Sequence, residues 1–334
     1  MSNRSKFLFG AAATCATIGV VRRPARAAQF VYKYAIDTPI GHPITERAKE
    51  MAKAIERDTG GRFVLQVFPG SVLGGAPAMI AEVQSGAVQM TAETGGLMSA
   101  VVPTAAIESV PFAWKSSQQV YEALDGELGA YVRREMMDKA GVHVFAHVME
   151  NGFREITMST HPIRNAKDLE GVKLRTPDAT LWIDTFHALG ASPVSTTLAE
   201  AYTALQTHVV DGQENPYGLI ELQRFYEVQK YLSVTNHMWA GYWIIMNADA
   251  WKALPPDIQK VVDRHVKTYA LEERRDNYLL NQSLANKLQQ QGMVMNVADT
   301  ASFKRRLASF YPELKKKFGP AGWSLLEKYA GKLG

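Results

Sequence analysis

The chain has 334 residues and a formal charge of +4, with 37 Lys and Arg against 33 Asp and Glu and a single cysteine. The excess of positive charge lies in the first 27 residues, where Arg4, Lys6, Arg22, Arg23 and Arg26 stand without an acid; after them 32 bases face 33 acids. That balance removes the compositional case for nucleic-acid or anionic-membrane binding. The roughly 307 residues that follow exceed what one hydrophobic core organises, so two domains are expected.

Arg4 and Lys6 precede a 15-residue apolar run, Phe7 to Val21, followed by Ala25-Arg26-Ala27. This is the layout of a secretory signal, expected to occupy residues 1–27, to be cleaved near Ala27 and to leave the mature chain in the periplasm. The run is shorter than the ~20 apolar residues a membrane span needs. A second arginine for a twin-arginine signal is missing, so ordinary secretion is expected. Cys15 lies inside this segment with Ala12, not a Leu-like residue, three positions before it, so lipid anchoring is the lesser reading. The remaining chain has no thiol for a disulfide.

From residue 29, β-like runs alternate with helical stretches, which predicts an α/β fold. Strands are expected at 30–36, 63–68, 88–92 and 142–149. Helices are expected at 44–59, closed by Gly60-Gly61, and at 76–85, closed by Gly86. Asn151-Gly152 offers a flexible joint where the chain crosses between domains. Beyond it, strands are predicted at 153–159, 172–175 and 209–213, with a turn at 168–171. A helix at 179–189 should stop at Gly190. Thr197-Leu198-Ala199-Glu200 is a capping box for a helix running to about 207. A strand at 243–247 suggests a return crossing at Trp239-Ala240-Gly241. From Pro256 to about Gln291 the helical pattern is continuous, and some 35 residues make a helix about 50 Å long. No sustained heptad supports a coiled coil, so a spine bracing both domains of a monomer is preferred.

Arg175 ends a predicted strand, the edge that faces the ligand crevice in open α/β sheets. Its fork could grip a carboxylate through two parallel hydrogen bonds. The competing reading is a structural ion pair with Asp178 or Asp184. Arg154 shares a strand face with Ile156 and Met158 and needs a partner there, either a bound anion or a structural acid; its place beside the joint favours the ligand. Asn215 could donate and accept at the same crevice. His143 and His147 are spaced like metal ligands on a helix, but they sit in an alternating strand, so no metal site is expected. Trp239, Tyr242 and Trp243 read first as core. The glycines from Gly70 to Gly75 lack the Lys-Ser or Lys-Thr of a phosphate loop, and no Gly-x-Ser-x-Gly elbow is present.

The segments Asn151-Gly152-Phe153-Arg154, Asp168-Leu169-Glu170-Gly171-Val172-Lys173-Leu174-Arg175-Thr176-Pro177, Leu189-Gly190-Ala191-Ser192-Pro193 and Asp211-Gly212-Gln213-Glu214-Asn215-Pro216 stand in this order. Together with Phe225-Tyr226-Glu227-Val228-Gln229-Lys230 and Thr235-Asn236-His237, they resemble the substrate-binding subunits of tripartite ATP-independent periplasmic (TRAP) transporters. The resemblance covers almost all of the mature chain. It implies a two-lobed periplasmic-binding-protein fold, type II-like, with crossing strands and a long helix spanning both lobes. Residues 28–151 with about 240–280 would form lobe I, and 152–239 with about 281–334 lobe II. Arg175 would make the main bidentate contact to a substrate carboxylate, assisted by Arg154 and Asn215. Trp239 would lie where the pocket is lined, and Glu93 and Thr94 near a ligand-lining segment. Leu198 replaces an aromatic residue of sialic-acid-type members, which argues against that substrate. His208 replaces a usual Gly or Asn, at a position that calls for a left-handed backbone.

The expected function is therefore capture of a small carboxylate, with a monocarboxylate favoured by the lack of a second cationic cluster, and delivery to an integral-membrane TRAP permease. No cofactor and no catalysis are expected, because no nucleophile, base and orienting group converge. The alternative is a periplasmic sensor subunit that presents the liganded form to a receptor kinase.

Overall fold

The computed structural model describes residues 27–333; the expectations for Arg4 to Arg26 and for Cys15 lie outside the described residues. In chain order the strands are β1 (Phe30–Ile36), β2 (Phe63–Phe68), β3 (Met90–Thr94), β4 (Val142–Val144), β5 (Met149–Phe153), β6 (Glu155–Met158), β7 (Lys173–Thr176), β8 (Ser192–Ser195), β9 (Gly212–Asn215), β10 (Tyr231–Val234), β11 (Trp239–Asn247) and β12 (Val294–Val297). The helices are α1 (Pro43–Asp58), α2 (Ala76–Ser85), α3 (Gly95–Met98), α4 (Ser117–Asp125), α5 (Glu127–Ala140), α6 (Thr180–Ala188), α7 (Leu198–Gln206), α8 (Tyr217–Leu222), α9 (Ala248–Ala253), α10 (Pro256–Gln290), α11 (Thr300–Arg306) and α12 (Phe310–Ala330).

The local signals act where the sequence placed them. Gly86 closes α2 in the left-handed region at φ 80°, and Gly190 turns the chain after α6 at φ 89°. Thr197 and Glu200 form the capping box of α7 through the Thr197 N–H and Oγ1, 3.0 and 2.7 Å from the Glu200 carboxylate. His208 adopts the left-handed backbone at φ 57°. The run from 142 to 149 is not one strand. It breaks after Val144, because His147 turns to Asp125 at 3.0 Å and the Ala146 carbonyl accepts from Arg133.

The strands form two sheets. The first runs β2-β1-β3-β11-β4, with β5 also paired to β11, and the second runs β12-β10-β6-β9-β7-β8. Lobe I is built on the first sheet and lobe II on the second. The chain passes between them at Arg154, the single residue between β5 and β6, and returns through Thr235–Met238 between β10 and β11. These connections lie side by side: the Arg154 N–H donates to the Met238 carbonyl at 2.9 Å. The Glu155 carboxylate accepts from the N–H groups of Thr235 and Asn236. The joints therefore differ from Asn151-Gly152 and Trp239-Ala240-Gly241, which are strand residues paired with each other. Gly241 serves packing, since a Cβ there would fall 2.5 Å from the Trp239 ring, whereas Gly152 supplies a backbone at φ 107°.

Helix α10 spans both lobes in 35 residues. Its first half buries Ile258, Val262, Val266 and Ala270 in the lobe I core, and Leu288 joins the lobe II core. Its middle is polar where the lobes part. Arg274 pairs with Asp125 at 2.8 Å and donates to the Val148 carbonyl, and Glu273 accepts from the Glu150 N–H at 2.6 Å. Among the described residues no helix is long and apolar enough to cross a membrane.

After α10 the chain does not remain with lobe II as expected for 281–334. Strand β12 joins the second sheet beside β10, but α12 returns to lobe I and packs on α4, α5 and the turn at Pro103–Ser109. The apolar stripe of α12, with Phe318, Trp323 and Leu326, shares a core with Ile107, Leu124 and Leu128. Burying that stripe outweighs the short path to lobe II.

Candidate ligand-binding cleft

A cleft opens where the carboxyl ends of strands from both sheets meet. Its space, counted to the open mouth, is about 560 Å³. On the lobe I wall stand Asp37, just past β1, Thr94 at the end of β3, Asn151 on β5 and Tyr242 on β11. On the lobe II wall stand Arg175 near the end of β7, Asn215 at the end of β9, and Thr196, Leu198 and Trp182 from the following turns and helices, with Arg154 at the crossing. Helices α2, α6 and α7 all begin at this rim, their first residues or the residues just before them lining it. Their N-terminal N–H groups add positive potential favourable to an anion.

The two arginines differ in partners. Arg154 is the residue whose sequence reading left a ligand and a structural acid open, and its fork is taken by Glu214. Nε lies 2.5 Å from Oε2 and Nη2 lies 2.8 Å from Oε1, while Nη2 also reaches the Asn215 Oδ1 at 2.9 Å. Both members are buried. Burial alone would raise the Glu214 pKa, but the Arg154 charge, its hydrogen bonds and the His237 ring hold it down at about 2. This pair is neutral as a unit. The Asn215 amide is likewise partly committed, donating to Gln213 at 2.6 Å.

Arg175 is 2% exposed and has no acidic partner within ion-pair distance among the described residues. Neither acid weighed from the sequence pairs with it: Asp184 faces Lys317 at 3.3 Å, and Asp178 lines the cleft. Its Nε donates to the Thr196 Oγ1 at 3.2 Å and its Nη2 to the Thr196 carbonyl. These contacts fix the guanidinium plane without neutralising it. Burial pulls its pKa down to about 10, still far above neutral pH. A buried, oriented guanidinium with no carboxylate bonded to it is costly unless an anion joins it.

Of the residues singled out in the sequence, Arg175, Arg154, Asn215, Thr94 and Leu198 come together at this cleft. Trp239 does not line it. Its ring is fully buried and its Nε1 donates to Ser117 and Glu150 at 3.2 and 3.1 Å, because the β11 strand begins at this residue and turns it into the lobe I core. Glu93 is also away from the wall. Strand alternation places it beside Thr91 in the interior, where burial pushes its carboxyl well above the usual carboxylate range. His143, half-buried, stacks on Trp251 at 4.1 Å.

The sequence reading missed Asp37, Asn151 and Trp182 as wall residues and took Tyr242 for core. Asp37 carried a usable signal, as a lone acid directly after the buried strand end Tyr34-Ala35-Ile36. Trp182 carried none, since an aromatic at helical spacing reads as core. It is fully buried, and the Arg154 guanidinium lies 5.5 Å from its ring centre. The lobes meet here: a Cβ built on Gly96 of lobe I would fall 1.9 Å from the Trp182 ring.

Residues 34–317 match the model of bacterial extracellular solute-binding protein family 7. The chain belongs to this family. Solved structures of TRAP periplasmic solute-binding proteins share its fold. One from Polaromonas, bound to D-erythronate, has a TM-score of 0.85 at 28% identity and covers 90% of this chain and 98% of its own. Another, from Sulfurospirillum deleyianum and bound to succinate, has a TM-score of 0.85 at 25% identity, with 90% and 98% covered. The 2,3-diketo-L-gulonate-binding periplasmic protein of Escherichia coli is 29% identical over 281 residues, covering 84% of this chain and 85% of its own. This chain is thus a TRAP-type substrate-binding subunit with the two-lobed α/β fold.

Proposed function

We propose that this subunit captures a small organic acid by its carboxylate between the two lobes in the periplasm and delivers it, unchanged, to a TRAP permease. The observation that carries this reading is the buried Arg175 fork, oriented by Thr196 and without an acidic partner. A ligand carboxylate supplies the missing charge through charge-assisted hydrogen bonds. Arg154 supports it indirectly: locked on Glu214, it holds β6 and β9 together and keeps Asn215 at the wall. The lobes are joined by two short connections, by α10 and by the link from α11 to α12, an arrangement suited to rotation about the Arg154 and Thr235–Met238 segments. Closure over the anion then gives the permease a surface to distinguish from the empty form. The carboxylate ligands of the family's solved members agree with this chemistry.

The test is native mass spectrometry of the protein purified from its own host, followed by denaturation and identification of the released molecule. A small organic acid in stoichiometric amount, recovered intact after prolonged incubation, is the expected result. A ligand without a carboxylate, or its turnover to a product, would contradict the reading.

A further inference from the structure

We propose that Asp37 selects the ligand class of this cleft, accepting hydroxyl groups and rejecting a second carboxylate, so that the cargo is a hydroxylated monocarboxylate. This rests on the reading of Arg175 as the carboxylate anchor. The walls are chemically unlike. Lobe II carries Arg175 and Arg154, whereas the lobe I residues lining the cleft include no Lys, Arg or His and present Asp37, Ser71, Thr94, Asn151 and Tyr242. Asp37 is 7% exposed, and its Oδ1 takes the Tyr242 hydroxyl at 3.0 Å, which fixes the carboxyl at the wall. Asn151 beside it is 2% exposed, and its Oδ1 has no hydrogen-bond partner. Buried acceptors of this kind are satisfied by ligand hydroxyls and left wanting by methylene groups.

A ligand with its carboxylate on Arg175 turns its far end to this lobe I wall. Hydroxyls there donate to the Asp37 carboxylate and the Asn151 amide, and hydrogen bonds to an ionised acceptor are the stronger kind. A second carboxylate in that place meets a like charge with no cation on its own wall. Burial pushes the Asp37 pKa up to about 6, opposed by the Tyr242 hydrogen bond and the Arg175 charge, so the group is ionised at the pH of about 7.5 chosen for the test. A site built to bind a hydroxyl discriminates strongly against the analogue that lacks it.

The experiment is titration calorimetry on ligand-stripped protein with acids paired by carbon count: D-erythronate against succinate, and D-gluconate against adipate. Wild type is expected to bind at least one hydroxylated member at least about 100-fold more tightly than its dicarboxylate partner. Asp37→Asn, nearly isosteric and still able to accept from Tyr242, should cut that preference at least about tenfold, consistent with loss of one charged hydrogen bond, while thermal unfolding stays near wild type. Tyr242→Phe removes the hydrogen bond that holds the carboxyl but leaves the carboxyl itself, and should reduce the preference by less than Asp37→Asn does. A wild-type preference for the dicarboxylates, a ratio unchanged within about threefold in Asp37→Asn, or an equal collapse in Tyr242→Phe would overturn the assignment to Asp37. Binding that survives Arg175→Ala, or no binding by any acid, would instead overturn the carboxylate anchor, and the inference with it.

Discussion

Gly96→Ala should weaken ligand binding while leaving each lobe intact. Gly96 lies in α3 of lobe I, and a Cβ there would fall 1.9, 2.6 and 2.8 Å from three ring atoms of Trp182 in α6 of lobe II. None of these is the end of a flexible chain. The indole is fully buried, with the Arg154 guanidinium 5.5 Å from its ring centre, so it cannot swing away without disturbing the wall. Overpacking of this kind costs roughly 1–3 kcal/mol. Because the clash exists only when the lobes meet, the cost falls on the closed form and reappears as about a 5- to 150-fold rise in apparent Kd. Calorimetry with the copurified acid measures the rise, and small-angle scattering should show a smaller ligand-induced compaction than in wild type. In a Trp182→Phe background the same substitution should cost less. Wild-type affinity together with full compaction in Gly96→Ala would refute the idea that closure seats Trp182 on Gly96.

Two further predictions concern stability. Burial raises the carboxyls of Asp37 to about 6, Glu155 to about 7 and Glu108 to about 8. Each binds its proton more tightly folded than unfolded, so the ligand-free protein should melt at a higher temperature at pH 5 than at pH 8. Glu214 acts oppositely, held at about 2 against an ordinary 4.5, so its contribution is lost only as pH falls from about 4.5 towards 2; a melting temperature that is flat or rises from pH 5 to 8 would contradict these environments. Glu214→Gln leaves the buried Arg154 without its counter-charge and should cost about 3–5 kcal/mol, read as a lower urea midpoint at unchanged slope; a loss below about 1 kcal/mol would mean that the pair is not the support assigned to it.

Much of this architecture was legible because local chemistry and tertiary packing agree. Phe63, Leu65 and Gln66 alternate as a half-buried strand must, Gly86 and Gly190 stop their helices, and the unbroken pattern from Pro256 made the long helix unavoidable. The lobe joints were less legible. Glycine marks permissive backbone, yet Gly152 uses its positive φ and Gly241 its missing side chain inside paired strands, and the crossing falls on Arg154, where an ion pair rather than a flexible residue defines the place. The return of α12 to lobe I depends on a core assembled from distant residues, which no local pattern reports. At the cleft, the strand end placed Arg175 at the crevice edge but left its partner open between a ligand and Asp178 or Asp184, and only the folded geometry separates the two. Glu214 was not seen as the partner of Arg154, because cross-strand pairing of β6 with β9 brings together residues sixty positions apart. Trp182 was hidden by its resemblance to a core aromatic.

The most direct test of the account is the affinity of Arg175→Ala and Arg175→Lys for the acid that copurifies with the wild-type protein, measured by calorimetry beside a melting curve. Loss of one partner from a desolvated charged pair costs about 2–5 kcal/mol, so Arg175→Ala should bind roughly 30- to 5,000-fold more weakly. Arg175→Lys should fail nearly as badly, since an ammonium cannot reproduce the fork that Thr196 orients. Both should melt close to wild type, because without ligand no carboxylate is bonded to the buried arginine. Binding within a few-fold of wild type in either variant would contradict the claim that Arg175 is the carboxylate anchor.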